Sequence, residues 1–383
     1  MLSGFRVKRA DLDASLAVPQ SALYFPPRPL KDEMNSPIQF TNSQTSPTEK
    51  KRLTLEAVSS HLLATGAKPI HVRRFFRAWL GKGEWPQLDD ERYPKAMRAI
   101  VPSLRRELEA VLELRSRHSG SDPESERLLL TLADGQTVES VLLPRKGVCV
   151  STQMGCAVGC VFCMTGQGGL IRQLTDLEIA AEVALARKLR PETKKVVFMG
   201  MGEPSHNLEA VMRVVDLLGT YGEFGHKDLV VSTVGDRRLF AALDKSAVKP
   251  ALAVSLHTVD DEKRKKLLPH GTRMSVDELI EAADKWAKKT GYPAQIQWTL
   301  IEGINDSTAE IECLADKLQD RYMMVNFIPV NAVDGSPFKR PEREHAASLV
   351  RCLRSRGVIA TLRDSAAQDV DGGCGQLRAR ELK

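Results

Sequence analysis

From Gly147 onward, short apolar segments alternate with helical segments in a regular order. Strands are predicted at 147–152, 195–200, 229–233, 250–256, 295–301 and 322–329, with a last strand at 358–363. Three helix starts match the capping box, in which Ser or Thr and Glu side chains satisfy free N–H groups: Thr175–Glu178, Ser275–Glu278 and Ser307–Glu310. Six β-α units in series predict an α/β fold whose parallel sheet curls into a partial (β/α)6 barrel.

The remaining segments predict smaller units around this barrel. Residues 1–50 are rich in Pro and Ser and predict a disordered tail, because they contain too few apolar residues to offset ordering. The other predicted units are a basic helical accessory domain at 51–120, a β-hairpin lead-in at 121–146, the barrel at 147–365 and a C-terminal loop at 366–383. The hairpin prediction rests on alternating residues around Asp134-Gly135.

Charge is concentrated in the predicted helical unit. Residues 51–118 carry 14 Lys and Arg against 8 Asp and Glu, which accounts for the net charge of +6 of the whole chain. Such a surface favours a polyanionic partner, but charge alone is equally consistent with an ordinary solvated helical face.

Polar motifs follow the predicted strands. They are the cysteine loop, Gly200–Pro204, Ser232-Thr233, Ser255–His257, Glu302–Asp306 and Asn326–Asn331. Because chemistry in parallel α/β barrels sits at the C-terminal ends of the strands, these motifs predict one shared site.

Three cysteines, Cys156, Cys160 and Cys163, form a C-x3-C-x2-C run after the first barrel strand. Three thiolates on one loop can hold three corners of an iron–sulfur cluster and leave one iron open for a substrate. An open iron is what a protein needs to bind and cleave S-adenosylmethionine (SAM). A zinc site completed by Cys149 is the alternative.

Cysteine usage and hydropathy indicate the cellular compartment. Seven cysteines without a visible secretory signal favour a reducing cytoplasm over a disulfide framework. No apolar run is long enough for a transmembrane helix, so no membrane association is expected. Cys313 and Cys352 are predicted to be inert core residues of helices.

The ordered series of motifs resembles the radical-SAM superfamily and, more closely, the RlmN/Cfr family of RNA adenine methyltransferases. The resemblance covers about residues 125–378 through C-A-V-G-C-V-F-C, M-G-M-G-E-P, V-S-T-V-G, L-A-V-S-L-H, E-G-I-N-D, N-F-I-P-V-N and C-G-Q-L. Val234 stands where the family usually has Ser.

The resemblance implies a [4Fe-4S] cluster on Cys156, Cys160 and Cys163, and a SAM site. The implied SAM contacts are Gly202, Glu203, Ser232, Leu256, His257, Thr258 and Asn331. On residue type alone, His257 would more often be a hydrogen-bonded core histidine.

The resemblance also implies three catalytic residues. Cys374 matches the cysteine that carries the methyl group as S-methylcysteine, which a 5′-deoxyadenosyl radical then activates. Cys149 matches the cysteine that releases the RNA adduct through a transient disulfide, and Glu139 matches the proton acceptor.

The expected reaction is methylation of an adenosine carbon, C2 in 23S rRNA, with tRNA as a second candidate substrate and C8 as the alternative carbon. A low-potential electron donor such as flavodoxin is an implied partner, and Arg73, Arg74 and Arg77 are candidates for phosphate contacts. A radical-SAM enzyme for a protein or small molecule, and a metal-stabilised RNA-binding module, are the alternatives from other classes.

Overall fold

A computed structural model describes residues 53–331, 333 and 335–379. The predicted tail at 1–50 lies outside the described residues, as do the last residues of the predicted C-terminal loop.

The first described unit contains three helices: α1 (Leu55–Ala64), α2 (Pro69–Trp79) and α3 (Lys95–Glu109). Their buried faces meet around Val58, Phe75 and Met97, each at most 1% exposed. Helix α3 begins at Lys95 and continues through Pro102. The proline ring is exposed, while the apolar residues on either side of it hold the helix against the core.

Residues 112–119 form a strand that sequence analysis had placed at the end of the helical unit. Strand β1 (Leu112–Ser119) pairs antiparallel with β2 (Glu126–Leu132), which pairs with β3 (Thr137–Leu143). The predicted hairpin is therefore present, but it belongs to a three-stranded antiparallel unit. Alternating burial along β1 is the signal that the helical prediction overlooked.

The barrel strands are parallel and follow the chain order. They are β4 (Gly147–Val150), β7 (Lys195–Phe198), β8 (Leu229–Thr233), β9 (Ala251–Ser255), β10 (Ala294–Leu300), β11 (Met323–Pro329) and β12 (Ile359–Leu362). Strand β3 pairs antiparallel with β4, so one ten-stranded sheet runs from β1 to β12 and remains open. The predicted partial barrel is confirmed, together with all seven of its strands.

Helices cover the sheet between successive strands. They are α5 (Asp176–Leu189), α6 (Leu208–Thr220), α7 (Arg237–Lys245), α8 (Asp261–Leu267), α9 (Val276–Thr290), α10 (Thr308–Leu318) and α11 (Arg343–Ser355). Besides β1, three short elements were not predicted. They are the strands β5 (Gln153–Gly155) and β6 (Leu170–Gln173), which form a small hairpin, and the helix α4 (Met164–Gln167) between them. They frame the cysteine loop.

Cys313 is exposed on α10, and Cys352 is half-buried on α11. The buried face of α10 carries Ile311, Leu314 and Ala315. Cys313 points away from this face, since two residues span about 200° of an α-helix. The prediction that Cys313 is a core residue is therefore wrong.

Within the described part of the chain, no helix has the length and apolar character needed to cross a membrane.

Candidate active site

The three clustered cysteines lie on the loop between β5 and α4, and Cys163 is the N-cap of α4. The amide of Cys156 donates to Gly169 O (3.0 Å), and the amide of Cys163 donates to Cys160 O (3.0 Å). Burial raises the pKa of Cys156 to about 12, and burial together with Cys163 and Cys156 raises that of Cys160. The three thiols lie on one short loop, where a cation would be needed to stabilise them as thiolates.

The donor set is compatible with an iron–sulfur cluster, because three thiols lie on one loop and a cubane takes one thiolate at each of three corners. Among the described residues, no three Cys, His, Asp or Glu side chains converge on one point. Cys149, the fourth ligand of the zinc alternative, lies on β4 near Cys374.

The turn after β7 lies against β5, the strand that precedes the cysteine loop. Gly202 has φ +103°, and a Cβ there would lie 2.6 Å from Gln153 Cβ, so only glycine fits. The next amide, that of Glu203, donates to Gln153 Oε1 (2.7 Å). Gln153 thus fixes the approach of the glycine turn to β5.

The carboxylate of Glu203 is buried and held by the start of the next loop. Its Oε1 accepts from the Thr233 hydroxyl (2.5 Å) and the Ser205 amide (3.0 Å), and its Oε2 accepts from the Val234 amide (3.0 Å). Three of its four acceptor positions are therefore used within the described residues, which leaves one for a donor such as an ammonium group. Val234 contributes its backbone, so this contact does not need the family's usual Ser.

His257 has φ +64° and is buried after β9. Its Nδ1 accepts from the Thr299 amide (2.9 Å), and its ring packs edge-on against Phe162, with centroids 4.9 Å apart. Burial, reinforced by the Arg264 charge, lowers its pKa to about 3. The ring is therefore neutral, with its proton on Nε2 as a possible donor.

The other predicted SAM contacts flank this histidine. Ser232 is half-buried on β8, Leu256 is buried, and the Thr258 hydroxyl donates to Glu310. Glu310 also pairs with Lys263 (2.7 Å), so its side chain does not complete the capping box predicted with Ser307. The other two predicted capping boxes are present.

The loop of Cys374 docks on the cysteine loop. The Gly375 carbonyl accepts from the Met164 amide (2.8 Å), and the Leu377 carbonyl accepts from the Thr165 hydroxyl (2.7 Å). Cys374 is exposed to solvent, yet surrounding protein raises the pKa of its thiol, against the opposing effects of Ser365 and Arg363. This combination is expected for a thiol that lines an open interior space.

Cys149 lies in the middle of β4, paired with Val141 on one side and Val197 on the other. Burial raises the pKa of its thiol, and an electrostatic interaction with Cys374 raises it further. Both cysteines are free thiols. The structure therefore brings together two cysteines 225 positions apart in the numbering.

Glu139 on β3 is fully buried and ion-paired with Arg127 on β2. Its Oε2 accepts from the amides of Arg378 (2.8 Å) and Ala379 (2.9 Å). Burial raises the pKa of Glu139, while these amides and Arg127 oppose the rise. The segment that follows Cys374 thus contacts the carboxylate that the resemblance identifies as the proton acceptor.

Comparison with known proteins places this site in a family. The radical SAM superfamily model matches residues 150–312. A probable RNA methyltransferase from Azoarcus sp. (strain BH72) is 54% identical over 332 residues, covering 86% of this chain and 95% of the relative. A probable RNA methyltransferase from Thiobacillus denitrificans is 55% identical over 323 residues, covering 83% and 88%.

The chain belongs to the radical SAM superfamily, in the family of these relatives. A solved structure of a radical SAM methyltransferase from Sphaerobacter thermophilus has 36% identity and a TM-score of 0.75, and it covers 87% of this chain and all of its own.

Sequence analysis missed the radical SAM site's supporting residues, of which Ser151 is one. Its hydroxyl donates to Glu139 O (2.6 Å) and accepts from the Met201 amide (2.8 Å), and its amide donates to Glu182 Oε2 (2.9 Å). Ser151 therefore ties together β3, the end of β4 and the glycine turn. Nothing in an isolated serine after a strand signals this role.

Arg264 is a second supporting residue of the radical SAM barrel that the sequence did not reveal. Its guanidinium is buried and donates to the carbonyls of Val234 (2.7 Å), Ser255 (2.8 Å) and Leu256 (3.2 Å). Burial lowers its pKa to about 10, so it still carries its charge at neutral pH. It joins the ends of β8 and β9 beneath the predicted SAM contacts.

The three candidate arginines of α2 differ in their surroundings. Arg73 and Arg74 are exposed, and Arg74 lies 5.9 Å from the Tyr93 ring centroid. Arg77 is ion-paired with Glu223 in the barrel and also donates to Lys82 O. Arg73 and Arg74 are thus available to an external anion, whereas Arg77 connects the helical unit to the radical SAM barrel.

Proposed function

We propose that this protein is a radical-SAM RNA methyltransferase that methylates an adenosine carbon, C2, in 23S rRNA, with tRNA as a second candidate substrate. The proposal includes a [4Fe-4S] cluster on Cys156, Cys160 and Cys163. It also assigns Cys374 as methyl carrier, Cys149 as resolving cysteine and Glu139 as proton acceptor.

The observation that carries the proposal is the position of two free cysteines outside the cluster run. The Cys374 loop contacts the cysteine loop through the Gly375 carbonyl and the Met164 amide (2.8 Å), and Cys374 interacts electrostatically with Cys149. A radical SAM enzyme that only abstracts hydrogen from a substrate has no need for a second thiol pair beside its cluster. A thiol that accepts a methyl group, with another thiol in reach to release the product, needs this arrangement.

The chemistry of adenine explains why such a carrier is useful. Its C2 is an electrophilic amidine carbon without a lone pair, so polar methyl transfer cannot occur there. A cluster on the three cysteines would supply the electron that cleaves SAM to a 5′-deoxyadenosyl radical. The radical formed on the Cys374 methyl group would add to the adenine carbon, and the adduct would then lose the hydrogen of that carbon as a proton to Glu139 and one electron to the cluster. Cys149 would attack the Cys374 sulfur and form a disulfide with it, as the bond from that sulfur to the transferred carbon breaks. The electron pair of the broken bond would stay on the released RNA, whose new methyl group takes up a proton.

Glu139 supports a proton-accepting role through its environment. A buried carboxylate with a raised pKa binds a proton more readily than an exposed one. In this conformation its Oε2 is covered by the amides of Arg378 and Ala379. We infer that the segment after Cys374 withdraws from Glu139 when the adenosine enters.

RNA binding is proposed for the exposed basic face of α2. Arg73 and Arg74 would contact phosphates, which position an RNA without reading its sequence. The adenosine would be unstacked from its neighbours to reach the barrel interior. The relatives' names support an RNA substrate, and a cytoplasmic enzyme with a donor such as flavodoxin fits this reaction.

The test is product analysis in a host that lacks its own adenine-C2 methyltransferase. RNA from cells expressing the protein is digested, and 2-methyladenosine and 8-methyladenosine are quantified by mass spectrometry. We expect 2-methyladenosine. If 8-methyladenosine is found instead, the methylated carbon is C8 and not C2. Neither product, from protein with an intact cluster, would refute the proposal.

Matched cysteine variants test the mechanism. Cys374→Ser should abolish the product, whereas Cys313→Ser, the same change on the exposed face of α10, should leave it unchanged. A Cys374→Ser protein that still methylates RNA would refute the carrier role.

A further inference from the structure

The side-chain amide of Asn331 makes three hydrogen bonds at the Cys374 loop. Its Nδ2 donates to the Cys374 carbonyl (2.8 Å) and to the Ser365 hydroxyl (2.9 Å), while its Oδ1 accepts from Arg340 (3.2 Å). The orientation of the amide is fixed, because a carbonyl can only accept and a guanidinium can only donate. Both N–H groups are therefore committed to the loop.

Arg340 is the residue that fixes this amide. Besides Asn331, its guanidinium donates to Val330 O (3.3 Å) and Gln368 Oε1 (2.7 Å), and it pairs with Asp364 (3.4 Å). It thus connects the end of β11 to the chain that leads into the Cys374 loop. No role for Arg340 follows from the motifs.

The loop is shaped to let the amide approach. A Cβ at Gly373 would lie 2.7 Å from Asn331 Nδ2, 2.6 Å from Gln376 Oε1 and 3.0 Å from Ser365 Cβ. Real Cβ atoms do not come this close to other heavy atoms, so any larger residue would separate Asn331 from the Cys374 carbonyl. The hydrogen bond from the Gly373 amide to Gln376 Oε1 (2.9 Å) closes the turn.

We propose that Arg340 and Asn331 form a clamp that positions Cys374 for methyl acceptance. This inference rests on the proposed function. In the step concerned, the Cys374 sulfur forms a bond to the methyl carbon of SAM as the bond from that carbon to the sulfonium breaks. The electron pair of the broken bond stays on the departing sulfur, giving S-adenosylhomocysteine, and the thiol proton passes to solvent.

Such a substitution reaction requires the attacking sulfur to lie in line with the breaking bond, so a shift of the loop by about an ångström slows the reaction strongly.

The clamp also restricts how Asn331 contacts SAM. While it holds the loop, only one lone pair of Oδ1 is left, so Asn331 can take a donor of SAM, its ammonium or a ribose hydroxyl, and not its carboxylate.

Two variants remove the clamp without substituting a predicted SAM contact. Gly373→Ala forces Asn331 away from the loop, and Arg340→Gln removes the guanidinium that orients the amide. Gly83→Ala is the matched control, because a Cβ there has its nearest neighbours at 3.8 Å, far from the site. Asn331→Asp is a third variant, which keeps Oδ1 for Arg340 but replaces both donors.

The measurements use cluster-reconstituted protein without RNA. They are the single-turnover rate at which the Cys374 peptide gains a methyl group from SAM, the SAM dissociation constant and hydrogen exchange of the amides at 372–377. For Gly373→Ala and Arg340→Gln we expect methylation slowed about tenfold to a hundredfold, faster exchange and SAM affinity within about twofold of wild type. Asn331→Asp should show the same faster exchange.

Wild-type methylation rates in both variants, or unchanged exchange at 372–377, would overturn the clamp. A loss of SAM affinity that accounts for the whole loss of rate would also overturn it. If Gly373→Ala does not fold, Arg340→Gln decides the question. If wild-type Cys374 gains no methyl group, the proposed function fails, and the exchange data still decide whether Arg340 holds the loop.

Discussion

Replacing Glu182 with Gln should make the protein more stable at neutral and alkaline pH. Glu182 lies on α5, is 1% exposed, and accepts at Oε2 from the Ser140 hydroxyl and the Ser151 amide. Its Oε1 has no hydrogen-bond partner among the described residues. Burial, the largest cause, raises the pKa of Glu182 to about 8, although the two hydrogen bonds oppose the rise.

The sign and size of the effect follow from proton linkage. The folded protein holds the Glu182 proton more tightly than the unfolded chain, whose ordinary pKa is 4.5. The associated stability is fully present below that pH and is lost as pH rises toward 8, at about 1.4 kcal/mol per pH unit. At pH 7 this loss is on the order of 3 kcal/mol relative to the protonated state.

Glu182→Gln removes the titration and keeps an oxygen acceptor for Ser140 and Ser151. The assay is urea unfolding at several pH values from 5 to 9, with variant and wild type at the same cluster loading. We expect the difference in unfolding free energy to grow in favour of the variant by about 1.4 kcal/mol per unit up to pH 8 and then to level off.

Glu281→Gln makes the same chemical change on the exposed surface of α9 and reports effects that do not depend on burial. Parallel pH curves for wild type and Glu182→Gln between pH 5 and 8 would refute the reasoning, because Glu182 would then not titrate in that range.

Three further predictions follow from the site. Cys149→Ala should accumulate covalent protein–RNA adducts on denaturing gels, and recovery of free RNA alone would count against its resolving role. His257→Asn, which tolerates the positive φ, should flatten the acid side of the stability curve. The pKa of His257 in the folded protein is lowered to about 3, so the free energy of unfolding of the wild type falls progressively as pH drops below 6.5. Equal acid slopes of the unfolding free energy for variant and wild type, measured with urea, would contradict this. Replacing Arg73 and Arg74 together with Ala should weaken RNA binding and make its dependence on salt shallower by about 1.4 to 1.8 in log–log slope, whereas Arg238→Ala on the barrel exterior should change neither.

Sequence reasoning recovered the barrel because its signals are local and repeated. Each parallel strand is a short apolar run, as in Lys195–Phe198 and Ala251–Ser255, and it is followed by a polar turn. The strand β1 was lost because Val111 and Leu112 continue the apolar spacing of α3, while the alternation that marks the strand begins only there. Two overlapping periods cannot be separated without knowing that β2 supplies a partner.

Some candidate residues of the site can be named from the sequence for a related reason. Cysteines and glycine turns carry chemistry in their residue type, so Cys156 and Gly202 stand out as candidates without a structure. Ser151, Glu182 and Arg264 act through partners that lie tens of residues away, such as Glu139 for Ser151. Their roles depend on which strand ends the fold brings together, and no local pattern encodes that.

These supporting residues share one physical feature, since each of them joins the ends of different strands. Arg264 joins the ends of β8 and β9, Ser151 joins β3, β4 and the glycine turn, and Asn331 joins β11 to the Cys374 loop. An open barrel does not have the closed ring of strand pairing that would fix its rim. Buried side-chain hydrogen bonds at the strand ends provide that rigidity here, and they do so beside the glycine turn and the Cys374 loop.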